Sequence, residues 1–206
     1  MKKKVFSAVL CSLTILMAVS CNNETKVQTA PNLPIEVYPD DSVCKMNRYS
    51  AGFYSIMVPE IMRPCERDEM MGIFDYGFQP IDDSHYARIL FQEIYDDYSE
   101  ISNIINNGRH LSQDDEGLVK EYYIEGMKGS DTPIIEWYGV DYVQIGDYYS
   151  CKISYLRKGF PTPTHVDQYS IYTKTKQTVI TTSYRTDETN LWRTNLMKSI
   201  NSLSNN

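Results

Sequence analysis

The residues able to do chemistry in this 206-residue chain are mostly carboxylates, gathered in three runs. These are Asp82-Asp83 beside His85, Asp96-Asp97 between Glu93 and Glu100, and Asp114-Asp115-Glu116. Calcium wants six to eight oxygens placed by a tight loop, and none of the three runs has the D-x-D-x-D-G spacing that supplies them. The third run follows Ser112 and reads as a helix N-cap with acids in the first turn. The second reads as a solvated helix face. Asp82, Asp83 and His85, in a loop entering a strand, are the candidate metal ligands. The three histidines, His85, His110 and His165, stand on separate segments, with no second His at i+3 or i+4. There is no G-x-S-x-G elbow, no H-E-x-x-H, no Walker loop, no G-x-G-x-x-G and no C-x-x-C. Acids are plentiful, but nothing selects a pair for glycoside hydrolysis. The expectation is a non-enzyme with no cofactor.

The cysteines lead back to the start of the chain. Lys2, Lys3 and Lys4 precede an apolar run from Val5 to Val19, the n-region and h-region of a signal peptide. A spanning helix needs about 20 apolar residues, and this run is shorter, ending at Ala18, Val19, Ser20 and Cys21. That ending resembles a lipobox, the recognition site of lipoprotein signal peptidase. The resemblance implies cleavage after residue 20, a lipid on the Cys21 sulfur and, usually, an acyl chain on the new amino group. Two or three chains anchor stably where one binds marginally. Lipoboxes most often carry Leu where this chain has Ala18, and Ala18 with Ser20 also fits the small-x-small site of ordinary signal peptidase. Residues 22–34, polar and without apolar periodicity, read as a flexible tether to a domain over 35–206.

Cys11 would leave with the signal peptide, so Cys44, Cys65 and Cys151 belong to the domain. Cys151 shares a strand face with Tyr149, Ile153 and Tyr155 and is expected to be buried and free. By elimination Cys44 and Cys65 are the candidate disulfide, closing a loop worth about 3 kcal/mol if unstrained.

Loss of residues 1–20 removes three lysines and no acids, taking the net charge from −7 to −10. Such a surface argues against nucleic acid and against lying flat on anionic lipid. Tyrosine is abundant, with 17 residues, many in alternating stretches. A ring with a polar tip suits both a pleated sheet and a binding surface. Tyr138, Tyr142, Tyr148 and Tyr155 are the candidate binding residues.

These side chains must be positioned by one α+β domain. Residues 43–50 and 52–58 read as a hairpin, and 60–63 as one helical turn before Pro64. Residues 72–79 and 86–91 alternate as strands. Helices are expected over 96–106 and from Ser112 to Gly129, the second burying Leu118, Tyr122 and Met127. Four strands follow, at 134–145, 148–157, 166–173 and 177–184, joined by tight turns. Asp187 then caps a helix whose Trp192, Leu196, Ile200 and Leu203 make one apolar stripe, which must lie on the sheet.

The hairpin ending in "GFYSIMVPE", the meander "YSIYTKTKQTVITTSYR" and the closing "LWRTNLMKSINSL" resemble the PsbP-like family. That family includes the photosystem II extrinsic protein, the Mog-type Ran-binding proteins and many bacterial lipoproteins. The resemblance covers about residues 43–203 and rests on element order, the Pro59 motif and the closing helix with Ser199-Ile200. It implies an antiparallel β-sheet flanked by helices, used as a binding or assembly module. No activity and no ligand residues carry over. The combined expectation is an envelope lipoprotein, held to a membrane by its lipid anchor, whose domain binds an envelope protein. The alternative is a small-ligand or divalent-metal-binding lipoprotein.

Overall fold

A computed structural model describes residues 44–206, apart from 68 and 71. Residues 1–43, with the expected signal peptide, Cys21 and the tether, lie outside the described residues. The chain runs β1 (Met46–Ala51), β2 (Tyr54–Pro59), β3 (Met62–Pro64), β4 (Tyr76–Pro80), β5 (Ala87–Tyr95), α1 (Ser99–Ile105) and α2 (Gln113–Met127). It continues through β6 (Ile134–Ile145), β7 (Tyr148–Arg157), β8 (Thr164–Tyr172), β9 (Lys176–Arg185), a 3-10 turn (Thr186–Glu188), α3 (Thr189–Asn201) and β10 (Ser204–Asn205). Seven strands form one antiparallel sheet in the order β3-β4-β5-β9-β8-β7-β6, and β1-β2-β10 form a second. This is the expected α+β architecture.

Alternation along the strands divides the core in two. On one face of the large sheet, Phe78, Ile89, Phe91, Tyr169, Ile171 and Ile180 meet Ile56 and Val58 of the small sheet and Trp192, Leu196 and Ile200 of α3. The stripe read from spacing four thus does lie on a sheet. Trp192 also donates its indole N–H to Glu188 at 2.7 Å, so burying the ring leaves no orphaned donor. On the other face, Cys151, Ile153, Tyr155, Val166 and Tyr172 pack under Tyr98, Ile101 and Ile105 of the α1 region and Val119, Tyr123 and Met127 of α2.

Several boundaries differ from expectation for physical reasons. Residues 60–63 do not make a helical turn, because Met62, Arg63 and Pro64 pair with β4 as a sheet edge, where a proline costs no ladder bond. The strand expected from residue 72 begins at Tyr76, after a turn through Gly72 with φ +67°. In α2 the buried stripe is Val119, Tyr123 and Met127, while Leu118 is exposed. Ser112 caps that helix as expected, accepting the Asp115 N–H at 3.2 Å. Asp187 does not cap α3; Glu188 occupies that position, and its side chain makes no capping bond to the helix's backbone N–H groups. Leu203 is buried beyond the helix end, just before β10 joins β2.

Candidate binding surface

The expected metal ligands do not converge. Asp82 accepts the Ser84 N–H at 2.8 Å in a local turn. His85 turns to Glu188, 3.6 Å away, and lies edge-on to the Trp192 ring. Among the described residues no three His, Cys, Asp or Glu side chains are placed to hold a metal ion.

The expected disulfide is not formed: Cys44, Cys65 and Cys151 are all free thiols. Cys44 lies against α3, where the Asn195 side chain receives its N–H at 3.0 Å and donates to its sulfur at 3.4 Å. Cys65 sits at the other sheet, beside Gly77 of β4. The two thiols therefore belong to different layers. Burial pushes the Cys65 thiol up to about 11 and the Cys151 thiol up to about 12.

The four candidate tyrosines do not share a surface. Tyr155 is 0% exposed, stacked at 6.3 Å on Trp137 and at 6.1 Å from Tyr123, and is a core residue. Tyr142, on the same face, is half-buried: its hydroxyl accepts the Leu111 N–H at 2.9 Å and donates to Glu116 at 3.0 Å, while its ring stacks on His110 at 4.1 Å. Tyr148 lies on the opposite face, edge-on to Tyr54 at 5.5 Å, and donates to Asn205. Tyr138 is exposed and stacks on His165 at 5.6 Å. Ordinary alternation sets Tyr148 and Tyr155 on opposite faces of β7, and a bulge between Trp137 and Gly139 breaks alternation along β6, parting Tyr138 from Tyr142.

The structure instead gathers exposed aromatics at one end of the sheets, where the sequence separates them widely. Phe53 is 65% exposed, Tyr95 68% and Tyr76 40%. Gly52, with φ +63°, turns β1 into β2 and lifts Phe53 outward. The Tyr76 ring lies so close to that turn that a Cβ on Gly52 would sit 2.9 Å from it. Tyr95 pairs with Lys176 across β5 and β9. The Lys176 ammonium sits 4.4 Å from the Phe53 ring centre and 5.7 Å from that of Tyr54, a cation–π arrangement. It also donates to Glu93 at 2.7 Å, and Glu93 accepts the Tyr95 hydroxyl at 2.7 Å. Burial raises the Glu93 carboxyl, but the Lys176 and Tyr95 hydrogen bonds outweigh it and hold the group below its ordinary value. The neutralised Glu93–Lys176 pair thus lies in the middle of three rings. Asp75, which accepts the Glu93 N–H at 2.6 Å, and Asp96 stand at the rim. Of the four tyrosines expected from sequence, only Tyr148 adjoins this surface, through Tyr54.

A second polar cluster lies on β7 and β8. Asp167 is buried among Ser154, at 2.6 Å, Lys152, at 3.2 Å, and His165, at 3.2 Å. Burial raises its carboxyl, but the hydrogen bonds from His165 and Ser154 and the Lys152 charge bring it below the ordinary carboxylate range. Both Ser154 and His165 bind the carboxylate rather than each other, so the group does not form a nucleophile–base relay. One cleft of about 140 Å³, bounded by Ile105, Arg109, His110, Tyr142 and Gln144, is small for an organic ligand. A shallow depression of about 470 Å³ along the outside of α3 is lined by that helix alone among the described residues.

No protein-family profile matches the chain, and no curated protein matches it. Solved structures do. The cyanobacterial PsbP protein of Synechocystis (CyanoP) matches with a TM-score of 0.54 and 12% identity, over 84% of this chain and 99% of that one. The protein therefore has a PsbP-like α+β fold. A Bacteroides thetaiotaomicron protein and LpqN of Mycobacterium tuberculosis, a protein involved in cell envelope biogenesis, each match with a TM-score of 0.45 and 11% identity. The former covers 79% of this chain and 48% of its own, the latter 78% and 90%. No helix among the described residues is long and apolar enough to cross a membrane.

Proposed function

We propose that this protein is a lipid-anchored lipoprotein of the bacterial envelope whose PsbP-like domain is a non-enzymatic module that binds another envelope protein. The observation that carries the reading is the surface of Phe53, Tyr76 and Tyr95 around the Lys176–Glu93 pair. Exposed rings grouped at one end, with a neutralised charge pair among them and acids at the rim, have the anatomy of an interface: an apolar centre and a polar border. Asp75 and Asp96 fit a partner that brings Arg or Lys beside apolar side chains, and the rings accept such cations on their faces. The described chain enters at the opposite end of β1, about 20 Å from the Gly52–Phe53 turn at 3.3 Å per residue. The surface thus points away from the end to which a tether attaches. Anchoring on Cys21 would confine the domain near membrane partners and raise their effective concentration, so modest affinity suffices.

The test is capture from solubilised envelope with the lipidated protein as bait, comparing wild type with Phe53→Ala and Tyr95→Ala. The reading expects one protein retained by wild type and lost from both variants, each removing about 1–2 kcal/mol of binding. Circular dichroism on each variant separates lost binding from unfolding. Equal retention by wild type and both variants would reject the surface.

A further inference from the structure

The sheet face beneath α1 and α2 carries polar side chains that packing leaves unexplained. Gln168 of β8 is 0% exposed, yet neither its carboxamide nitrogen nor its oxygen has a hydrogen-bond partner among the described residues. On the next strand the buried Tyr155 hydroxyl is also unpartnered. The pairing register sets the two side by side, since Tyr155 faces Val166, two residues from Gln168 on the same face. Buried polar atoms nearly always find a partner, and one without points to a missing water, ion or ligand.

The neighbouring charges indicate which. Arg157, two residues from Tyr155, donates from Nη2 to the Tyr86 hydroxyl at 2.9 Å and from Nη1 to Thr132 at 3.4 Å. Its Nε has no acceptor among the described residues. The Arg88 guanidinium stands 5.7 Å from the centre of the Tyr86 ring, and Arg88 pairs with Ser183 of β9. Among the described residues neither arginine has a carboxylate within ion-pair distance. Glu69, on the segment beside β4, is held by Arg63 and Gln79. Burial alone would push the Tyr86 hydroxyl up, but Arg157 and Arg88 bring it below its ordinary value, so the local field is positive. Water could satisfy Gln168 and Tyr155 but would leave two guanidinium charges unanswered. An anion does both, because guanidinium groups pair with carboxylate and phosphate through directed N–H bonds.

We propose that Arg88, Arg157, Tyr155 and Gln168 form a binding site for a small organic anion, a carboxylate or a phosphate. The arginines hold its charged end at the half-exposed mouth, and Tyr155 and Gln168 bond its polar atoms at the base. The site lies across the sheet from Phe53, Tyr76 and Tyr95, so it stands or falls independently of the protein-binding surface.

The experiment titrates inorganic phosphate and succinate against sodium chloride at matched ionic strength. It follows the thermal midpoint and the NMR signal of the Trp137 indole, which stacks on Tyr155. Wild type should show a saturable rise in midpoint and a saturable indole shift with at least one of the two anions, and neither with chloride. Arg88→Gln and Arg157→Gln should each bind roughly tenfold more weakly. Gln168→Leu should unfold at a higher temperature without anion and respond less to it, because the substitution removes a buried carboxamide that only the ligand satisfies. Phe53→Ala should respond like wild type. If Arg157→Gln fails to fold, the half-exposed Arg88→Gln carries the comparison. No saturable response in wild type, or unchanged affinity in the folded arginine variants, overturns the site.

Discussion

Gly146→Ala should be among the most damaging single-atom additions in the molecule. Gly146 turns β6 into β7 with φ +52°, and an added Cβ would stand 1.8 Å from the Leu203 carbonyl oxygen and 2.8 Å from its carbon. Both obstacles are backbone, so the clash can be relieved only by moving the turn or the chain after α3. Left-handed geometry alone costs a non-glycine residue about 1–2 kcal/mol. Displacing Leu203, which is buried, forfeits part of the roughly 1.5–3 kcal/mol that burying a leucine contributes. It also loosens the pairing of Ser204 and Asn205 with β2 and the Tyr148–Asn205 hydrogen bond. The combined loss is about 3–5 kcal/mol. Gly108→Ala is the control, since Gly108 has φ +65° with nothing within 4 Å of an added Cβ, and should lose only about 1 kcal/mol. Urea denaturation of both variants, with slopes matching wild type, measures the difference. If Gly146→Ala falls within 1 kcal/mol of Gly108→Ala, the close approach of turn and C-terminal segment is wrong.

The other expectations concern charge, thiols and the anchor. Asp167→Asn should cost about 3 kcal/mol, because it leaves the half-buried Lys152 without its counter-charge. In wild type the folded Asp167 carboxyl titrates below its unfolded value of about 3.9. Its contribution is therefore complete above that pH and is lost as pH falls through the folded value, so the wild-type advantage in a denaturation series should shrink only below about pH 4. Thiol labelling of the native domain without reductant should leave Cys151 unmodified, and all three thiols should label after unfolding; a bridge between Cys44 and Cys65 in peptide mapping would contradict the fold. Cys21→Ala should yield a product without lipid, whereas wild-type protein showing no acyl mass by intact-mass analysis would remove the anchor.

Much of the frame was legible because it rests on local periodicity. Trp192, Leu196 and Ile200 declare a one-sided helix, and the strands from Ile134 to Tyr184 announce themselves by alternation and tight turns. The scatter of the candidate tyrosines and the gathering of the exposed rings were not legible, for two reasons. The bulge beside Gly139 reverses facing within β6, although a glycine inside a strand, here with φ +140°, is itself a signal of such a break. The exposed rings are joined only by tertiary structure. Tyr76 lies two residues from the buried Phe78 on the same face and differs from it because the covering layer ends between them. Tyr95 closes a strand that runs four residues past the expected Phe91. Gln168 likewise reads as an ordinary strand residue, and Tyr155 as one exposed tyrosine among several, until burial shows their polar atoms alone among the described residues.

The proposed role of the Phe53–Tyr76–Tyr95 surface is to meet a protein partner in the envelope. Photocrosslinking amino acids placed at 53 and at 95 in the anchored protein in cells test it most directly, with Ile81 and Phe160, both exposed elsewhere, as control positions. The same discrete protein adduct is expected from positions 53 and 95 and none from 81 or 160. No adduct at 53 and 95, or equal adducts at all four positions, would contradict it.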